Sequence, residues 1–421
     1  MKKCLLAIML LAGLCSCDPG DDLEDRLAAR TVIVYMAAEN NLTNFAYNDL
    51  EEMKEGSRSL SANQNLIVYV DRANASTTPY LARVKNGALV DTLYMPEGVA
   101  ADPTILRNVV SKAKLLYPAL TYGLVLWGHS SGWIISENEY PANAASRAYG
   151  GSTGNNSASG SGRYWMNIPK MNQALLQAMG TDRFAFILAD CCSFGCMEVA
   201  YELRNVANYV IGSPAEVPDA GAPFHLIVPA MFESGEQCYR HIIDQYYDYY
   251  LSANKAYPNT YYNRSPGDLV GFSLPLAAVN TAQLDYLATA TSRLLDTIKD
   301  KVSNGGSLDL SNVVFYAINN SFRYSYDMVD VFKRNTDAAD FEVWLSAFQQ
   351  AVPYHRHSAK WMTNSSQLMT LMDHFADDAA SCGDVSMFFP SNYYSQTRPN
   401  WNQTIQLYQW NDVIRWQQYG W

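Results

Sequence analysis

Residues 31–38, 65–71, 122–127 and 184–189 are apolar runs without alternation, and each stops at a polar or glycine-containing turn. Short continuous runs rich in Val, Ile, Leu and aromatic residues are the mark of strands buried on both faces. A shorter pair of strands is expected at 80–85 and 88–94, and apolar positions recur with helical spacing over 103–116. A helix passes through Leu50 and Met53, another covers 196–204, and a fifth strand lies at 207–212. Beyond residue 225 the pattern predicts a strand at 269–274, a helix at 281–298, a strand near 313–317 and a helix at 337–351. Buried strands alternating with helices predict an α/β fold, a largely parallel sheet flanked by helices.

Between the third and fourth strong strands lies 134–163, whose Ser, Gly and Asn content, above all over 150–162, reads as a flexible surface loop. No linker divides the chain, so residues 31–240 are expected to form the core and 241–421 a further α/β portion packed on it. Tyr246, Tyr247, Tyr249, Tyr250, Tyr257, Tyr261 and Tyr262 cluster in one stretch. They suit packing with hydrated hydroxyls, with a carbohydrate platform as the alternative.

The N-terminus changes the picture of where this fold resides. Lys2 and Lys3 precede an apolar run over 5–14 that is too short for a permanent membrane span and reads as a signal peptide, 1–16. Leu14-Cys15-Ser16-Cys17 resembles a bacterial lipobox, which would make Cys17 the acylated residue and the membrane a partner; an ordinary secretory signal is the alternative. Asp18, Asp21, Asp22, Glu24 and Asp25 then mark an acidic tether, 17–30, which also resembles a surface-export signal. The formal charge of −11 becomes −13 once Lys2 and Lys3 leave with the signal, which argues against nucleic-acid partners. Three of the eight cysteines fall in the signal region and three more at Cys191, Cys192 and Cys196, so the chain is no disulfide scaffold. A tight trio in an exported protein suggests a thiol kept for reactivity, or else a buried pair or disulfide.

Reactive groups in parallel α/β sheets gather at the carboxyl ends of strands. Two such ends stand out: Trp127-Gly128-His129-Ser130-Ser131-Gly132-Trp133 and Asp190-Cys191-Cys192-Ser193. A His and a Cys delivered to neighbouring strand ends form a dyad in which the imidazole takes the thiol proton and later protonates a leaving amine. Singly, His129 reads better as a strand cap and Cys192 as a small core residue; together, with glycine beside the His and an acid two residues before the Cys, they favour the dyad.

The chain resembles the clostripain-type cysteine peptidases of the caspase-like clan. The matches are Val34-Tyr35-Met36-Ala37-Ala38-Glu39-Asn40-Asn41-Leu42, Leu126-Trp127-Gly128-His129 with Gly132-Trp133, Asp190-Cys191-Cys192 leading into Glu198-Val199-Ala200, and Gly383 with Ser386-Met387-Phe388-Phe389-Pro390. The resemblance implies a caspase-like fold and endopeptidase activity, with Cys192 as nucleophile and His129 as acid and base. An oxyanion hole would come from backbone N–H groups of Cys192 and the residues just after His129, with Gly128 and Ser130 in support. It implies cleavage after Arg or Lys, with Asp190 near the P1 pocket and Asp219 close to the family's acidic position, which falls on Ala220. The chain departs from the family in having His129-Ser130-Ser131 where His-Gly-Gly or His-Gly-Ser is usual, and Glu39 in place of Asp.

The resemblance also implies self-cleavage in the loop between His and Cys, where Arg147 and Arg163 are the accessible basic residues and Lys170 the other. Some relatives use calcium, for which no site is identified here. His355, His357 and His374 lack nearby ligands with metal spacing. Two further readings stay open: a catalytically silent lipoprotein that binds a partner through the same fold, and a redox pair at Cys191 and Cys192.

Overall fold

The computed structural model describes residues 27–73, 77–135, 148–154, 164–252, 271–299, 308–319, 322–365, 368–372, 382–390 and 399–419. The run at 31–38 lies within strand β1, Ala28–Ala38. It pairs in parallel with β2 (Gln64–Arg72) on one side and β5 (Ala119–Trp127) on the other. β5 continues in parallel to β9 (Phe184–Asp190) and β9 to β10 (Tyr209–Gly212). Antiparallel strands finish both edges. On one side are β3 (Tyr80–Lys85) and β4 (Ala88–Tyr94); on the other are β11 (Leu276–Asn280) and β14 (Tyr354–Arg356), which come from beyond residue 240.

Continuous hydrophobicity in β1 follows from its position at the sheet's centre. Ile33, Tyr35 and Ala37 pack one way, with helices α2 (Pro103–Leu116), α3 (Ile168–Met179) and α4 (Met197–Glu202). Val32, Val34 and Met36 pack the other way, with α1 (Thr43–Gly56), α5 (Phe224–Ala230) and α6 (Gly235–Leu251). Each fully buried aliphatic chain stabilises by about 1.5–3 kcal/mol, so a polar substitution on either face of β1 is costly. Asp102 opens α2 by accepting the Thr104 N–H, and Pro103 occupies the first turn, where no N–H is needed. The C-terminal portion adds a three-stranded sheet of β12 (Phe315–Asn319), β13 (Phe322–Asp327) and β17 (Ser386–Met387), the hairpin β15 (Trp361–Ser365) with β16 (Leu368–Met372), and helices Leu284–Thr297, Met328–Asn335 and Ala338–Ala351.

Two expectations need correction. The strand expected at 269–274 lies at Leu276–Asn280: Pro275 precedes it, and Phe272 makes only an isolated bridge to Lys360. The glycine-rich start of 150–162 is not loop. Tyr149–Ser152 is a buried strand, β7, between β6 (His129–Ser130) and β8 (Tyr164–Met166). Gly150 and Gly151 have φ of +103° and +64°, and a Cβ on Gly151 would lie 2.9 Å from the Trp165 ring and 3.3 Å from His129 Cδ2. These glycines serve close approach rather than flexibility. Among the described residues no helix is long and apolar enough to cross a membrane.

Candidate active site

The register of β5 against β9 pairs Trp127 with Asp190, so His129 and Cys192 each stand two residues beyond a matched pair of strand ends. Gly128 makes the turn: its φ is +144°, its N–H donates to Asp190 O at 3.4 Å, and a Cβ there would come within 3.2 Å of Ala37 O. His129 then leaves the main sheet to pair with Gly150. Its Nε2 lies 2.9 Å from Asn41 Oδ1, an acceptor that suits the tautomer protonated at Nε2, in which Nδ1 is the basic nitrogen. Asn40, one residue earlier, ties the end of β1 to β7 through Ala37 O (2.9 Å) and Gly150 O (3.1 Å). Positive φ in this loop falls on Gly128 and Gly132, outside the Ser130-Ser131 pair that departs from the family pattern.

The loop after the histidine meets the loop after the cysteine. Gly132, with φ +63°, sits so close to the Ser193 carbonyl that a Cβ would overlap that oxygen, and Ser193 itself holds φ +56°. Ser193 N–H donates to Ala215 O (2.9 Å) and Gly195 N–H to Ser213 O (2.8 Å), fixing the turn against the segment after β10.

The neighbouring thiols part company. Cys191 is buried on the α2/α3 side, where the Ser130 hydroxyl bonds it, and burial pushes its thiol up. Cys192 packs on the opposite side, half-buried. It receives the Val217 N–H at 3.3 Å and lies 3.7 Å from Val217 O. Burial, with Glu216 beside it as both charge and hydrogen-bond acceptor, raises the Cys192 thiol well above its ordinary value. Glu216 is in turn bridged to Met362 of β15.

On the side of the sheet where Cys192 packs lies a pair of buried carboxylates. Asp190 accepts from the Ala222 N–H (3.0 Å) and from Tyr246 Oη (2.7 Å), and burial raises its carboxyl to about 6 despite both bonds. Asp49 of α1 accepts the Trp127 indole N–H, and burial with the Asp190 charge holds its carboxyl well above the usual range. A Cβ on Gly221 would stand 2.9 Å from Asp190 Oδ2 and 3.2 Å from Asp49 Oδ2, and Tyr250 Oη holds that turn through Gly221 O (2.7 Å). Asp219 lies in the same turn, partly exposed.

The family model described as the clostripain family matches residues 34–419. The chain belongs to the clostripain family of cysteine peptidases. Clostripain of Hathewaya histolytica is 28% identical over 196 residues, 41% of this chain and 36% of that protein, so the alignment spans about a third of it. The solved structure of a secreted C11 cysteine protease from Bacteroides thetaiotaomicron in complex with an irreversible peptide inhibitor matches with a TM-score of 0.73 and 28% identity, covering 93% of this chain and 99% of that one. An inactive zymogen C11 protease from Parabacteroides distasonis matches at TM-score 0.71 and 23% identity, over 92% and 98% of the two chains, a likeness of fold.

The clostripain segments, far apart in sequence, meet in this structure. Phe388 N–H donates to Glu198 Oε1 (2.8 Å), Ser386 N–H to Gly195 O (3.0 Å), and Trp133 packs on Phe388 with ring centroids 4.3 Å apart. Tyr408 Oη caps the Trp133 carbonyl at 2.8 Å. The C-terminal segment thus buttresses the loops of both His129 and Cys192. Sequence reasoning missed Asn41, Asp49 and Tyr246 as site residues. Tyr246, Tyr247 and Tyr250 are buried, and their hydroxyls bond protein groups, Tyr247 through His357 O (2.7 Å). The Nδ1–H groups of His355 and His357 both donate to buried Asp384, whose carboxyl is held below its usual range although burial opposes this. Cys17, Arg147, Arg163 and His374 lie outside the described residues.

Proposed function

We propose that this chain is an exported cysteine endopeptidase that cleaves after Arg or Lys through a Cys192–His129 dyad. The observation that carries the proposal is the Trp127–Asp190 register together with the contact of Gly132 on Ser193, since both bring the loop after His129 against the loop after Cys192. With Nε2–H engaged by Asn41, His129 Nδ1 takes the thiol proton. The thiolate then attacks the scissile carbonyl, and the imidazolium returns the proton to the leaving amine. Water, deprotonated by His129, hydrolyses the thioester and restores the thiol.

The Ser131 N–H is committed to Ala148 O and that of Gly132 to Ser130 Oγ, while Gly128 donates to Asp190 O. The N–H groups of Cys192 and Ser130 are therefore our donors for the oxyanion, and Gly128 supports as the turn. Asp190 and Asp49, buried and hydrogen-bonded to the Ala222 N–H, Tyr246 and Trp127, are the acidic groups we assign to the floor of a pocket for a guanidinium or ammonium, with Asp219 at its rim. Export and a lipid at Cys17 follow from the N-terminal sequence, and a Bacteroides relative is described as secreted. Self-cleavage after Arg147 or Arg163 belongs to the same reading.

The test is a peptide library offered to the wild type and to Cys192→Ala. Cleavage confined to Arg or Lys at P1, and lower by more than about 10³-fold in the variant, is expected. Equal turnover by both proteins, or none by either together with no labelling of Cys192 by a basic affinity reagent, would leave the silent binding protein as the better account.

A further inference from the structure

Three large side chains are exposed together at the end of the sheet opposite the catalytic crevice. Leu115 and Leu116 close α2, and Leu120 opens β5; they are 74%, 47% and 57% exposed. Pro118, in the turn between them, is exposed as well. An apolar group of this kind at a tight turn, spared by the folding of both elements, calls for a partner.

The path of the chain names that partner. β1 enters the sheet at this turn: Ala28 N–H donates to Pro118 O (3.2 Å), Ala28 pairs with Ala119, and Thr31 Oγ1 donates to Tyr117 O (2.8 Å). The ten residues between the lipobox cysteine and Ala28 span at most about 33–36 Å when fully extended, so an acylated Cys17 confines this face to the neighbourhood of the bilayer. Because β1 runs 11 residues from this turn toward the crevice, the crevice stands about 35 Å away, at the far end of the sheet.

We infer that the Leu115, Leu116 and Leu120 surface rests on the lipid surface to which Cys17 is attached, and that the peptidase crevice is thereby held facing away from the membrane. The inference rests on the acylation proposed above. With a net charge of −13 the mature chain gains nothing from anionic headgroups overall, so the contact is apolar and neutral lipid suffices.

The test uses the full mature chain exported by a bacterial host, with the mass of its N-terminal peptide measured, loaded on phosphatidylcholine vesicles. The triple variant Leu115→Ser, Leu116→Ser, Leu120→Ser should pass between vesicles at least fivefold faster than the parent. Leu407→Ser, at a leucine 64% exposed beside Tyr408 of the catalytic end, should pass at the parental rate. Unchanged transfer by an acylated triple variant overturns the surface and leaves the anchor standing. An N-terminal peptide without added mass overturns the anchor; the same vesicles then read the surface directly, retention lost in the triple variant supporting it and no retention overturning it. Self-association abolished in the triple variant, with transfer unaltered, overturns it in favour of a second copy. If the triple variant fails to fold, judged by its peptidase rate, Leu120→Ser alone should still speed transfer about twofold.

Discussion

Replacing Gly132 by Ala tests whether the histidine loop and the cysteine loop act as one unit. Two costs arise, and a second glycine separates them. A non-glycine residue in the left-handed region costs about 1–2 kcal/mol, and Gly180, with φ +66° and ψ −115°, likewise has a positive φ that an L side chain strains, against the φ of +63° at Gly132. Gly180 is exposed at the end of α3, with open space where a Cβ would go. Gly132→Ala, by contrast, pushes against the Ser193 carbonyl, one residue after the proposed nucleophile. The backbone oxygen cannot swing aside as a side chain would, so the loops must separate by a distance on the order of 1 Å, enough to cost about 100-fold in a positioned reaction. Both variants should lose roughly 2–4 °C in Tm for the strain of a side chain at positive φ. Measured on an Arg-P1 peptide, kcat/KM should fall about 100-fold in Gly132→Ala and stay within twofold in Gly180→Ala. If Gly132→Ala keeps kcat/KM within threefold of wild type while its Tm drops, the contact is structural only and the two loops are not mechanically joined.

Asn41→Ala removes a neutral hydrogen bond to His129, worth about 0.5–1.5 kcal/mol, so kcat/KM should fall by about two- to twelvefold with little change in Tm; an unchanged rate would remove Asn41 from the mechanism. Glu216→Gln removes the negative group that raises the Cys192 thiol, so at neutral pH alkylation of Cys192 by iodoacetamide should quicken several-fold, and equal rates would show that the carboxylate does not govern the thiol. Stability should rise as pH falls from 8 to 6. Asp71, Glu198 and Asp190 have carboxyls raised to about 8, 7 and 6. His355 and His357 are raised as well by Asp384, although burial opposes this. All five groups bind protons more tightly folded than unfolded, so each contribution is lost as pH rises through its folded value. A Tm higher at pH 8 than at pH 6 would contradict this sign.

Elements with one simple cause were legible in the sequence. The helix 103–116 was found to the residue because Asp102-Pro103 marks its start, and β1 was found from Thr31 onward, where its apolar run begins, although the strand starts at Ala28, ahead of Arg30. That His129 and Cys192 follow neighbouring strand ends was legible because each closes a continuous apolar run, and the Trp127–Asp190 pair sets those ends side by side. What escaped depends on tertiary neighbours. Glycine at 150 and 151 has the same composition signal whether it loosens a loop or lets Trp165 and His129 close in. Asp49 did leave a trace, since it falls on the buried face of α1 with Ala46, Leu50 and Met53, and a carboxylate on an apolar stripe asks for a function. Tyr246 left none, because packing alone explains a tyrosine on α6.

The extent of the family match, almost to the C-terminus, has a mechanical reason. Ser193 holds a left-handed conformation next to the proposed nucleophile, and such strain persists only where surrounding contacts over-determine it. Three of those contacts come from the segment after β10, at Ser213 and Ala215, and from the C-terminal Ser386, which reaches back to Gly195 O. Glu198 supplies the counterpart, a buried carboxyl raised to about 7 whose bond to the Phe388 N–H fixes the C-terminal segment beside the helix that follows the nucleophile. A carboxylate is an expensive choice for a core hydrogen bond, and an apolar residue would pack there at lower cost. Its presence is accounted for if orientation of the nucleophile turn, rather than stability, is what the contact provides, because a directional acceptor sets the position of the 386–390 segment where dispersion contacts would let it slide.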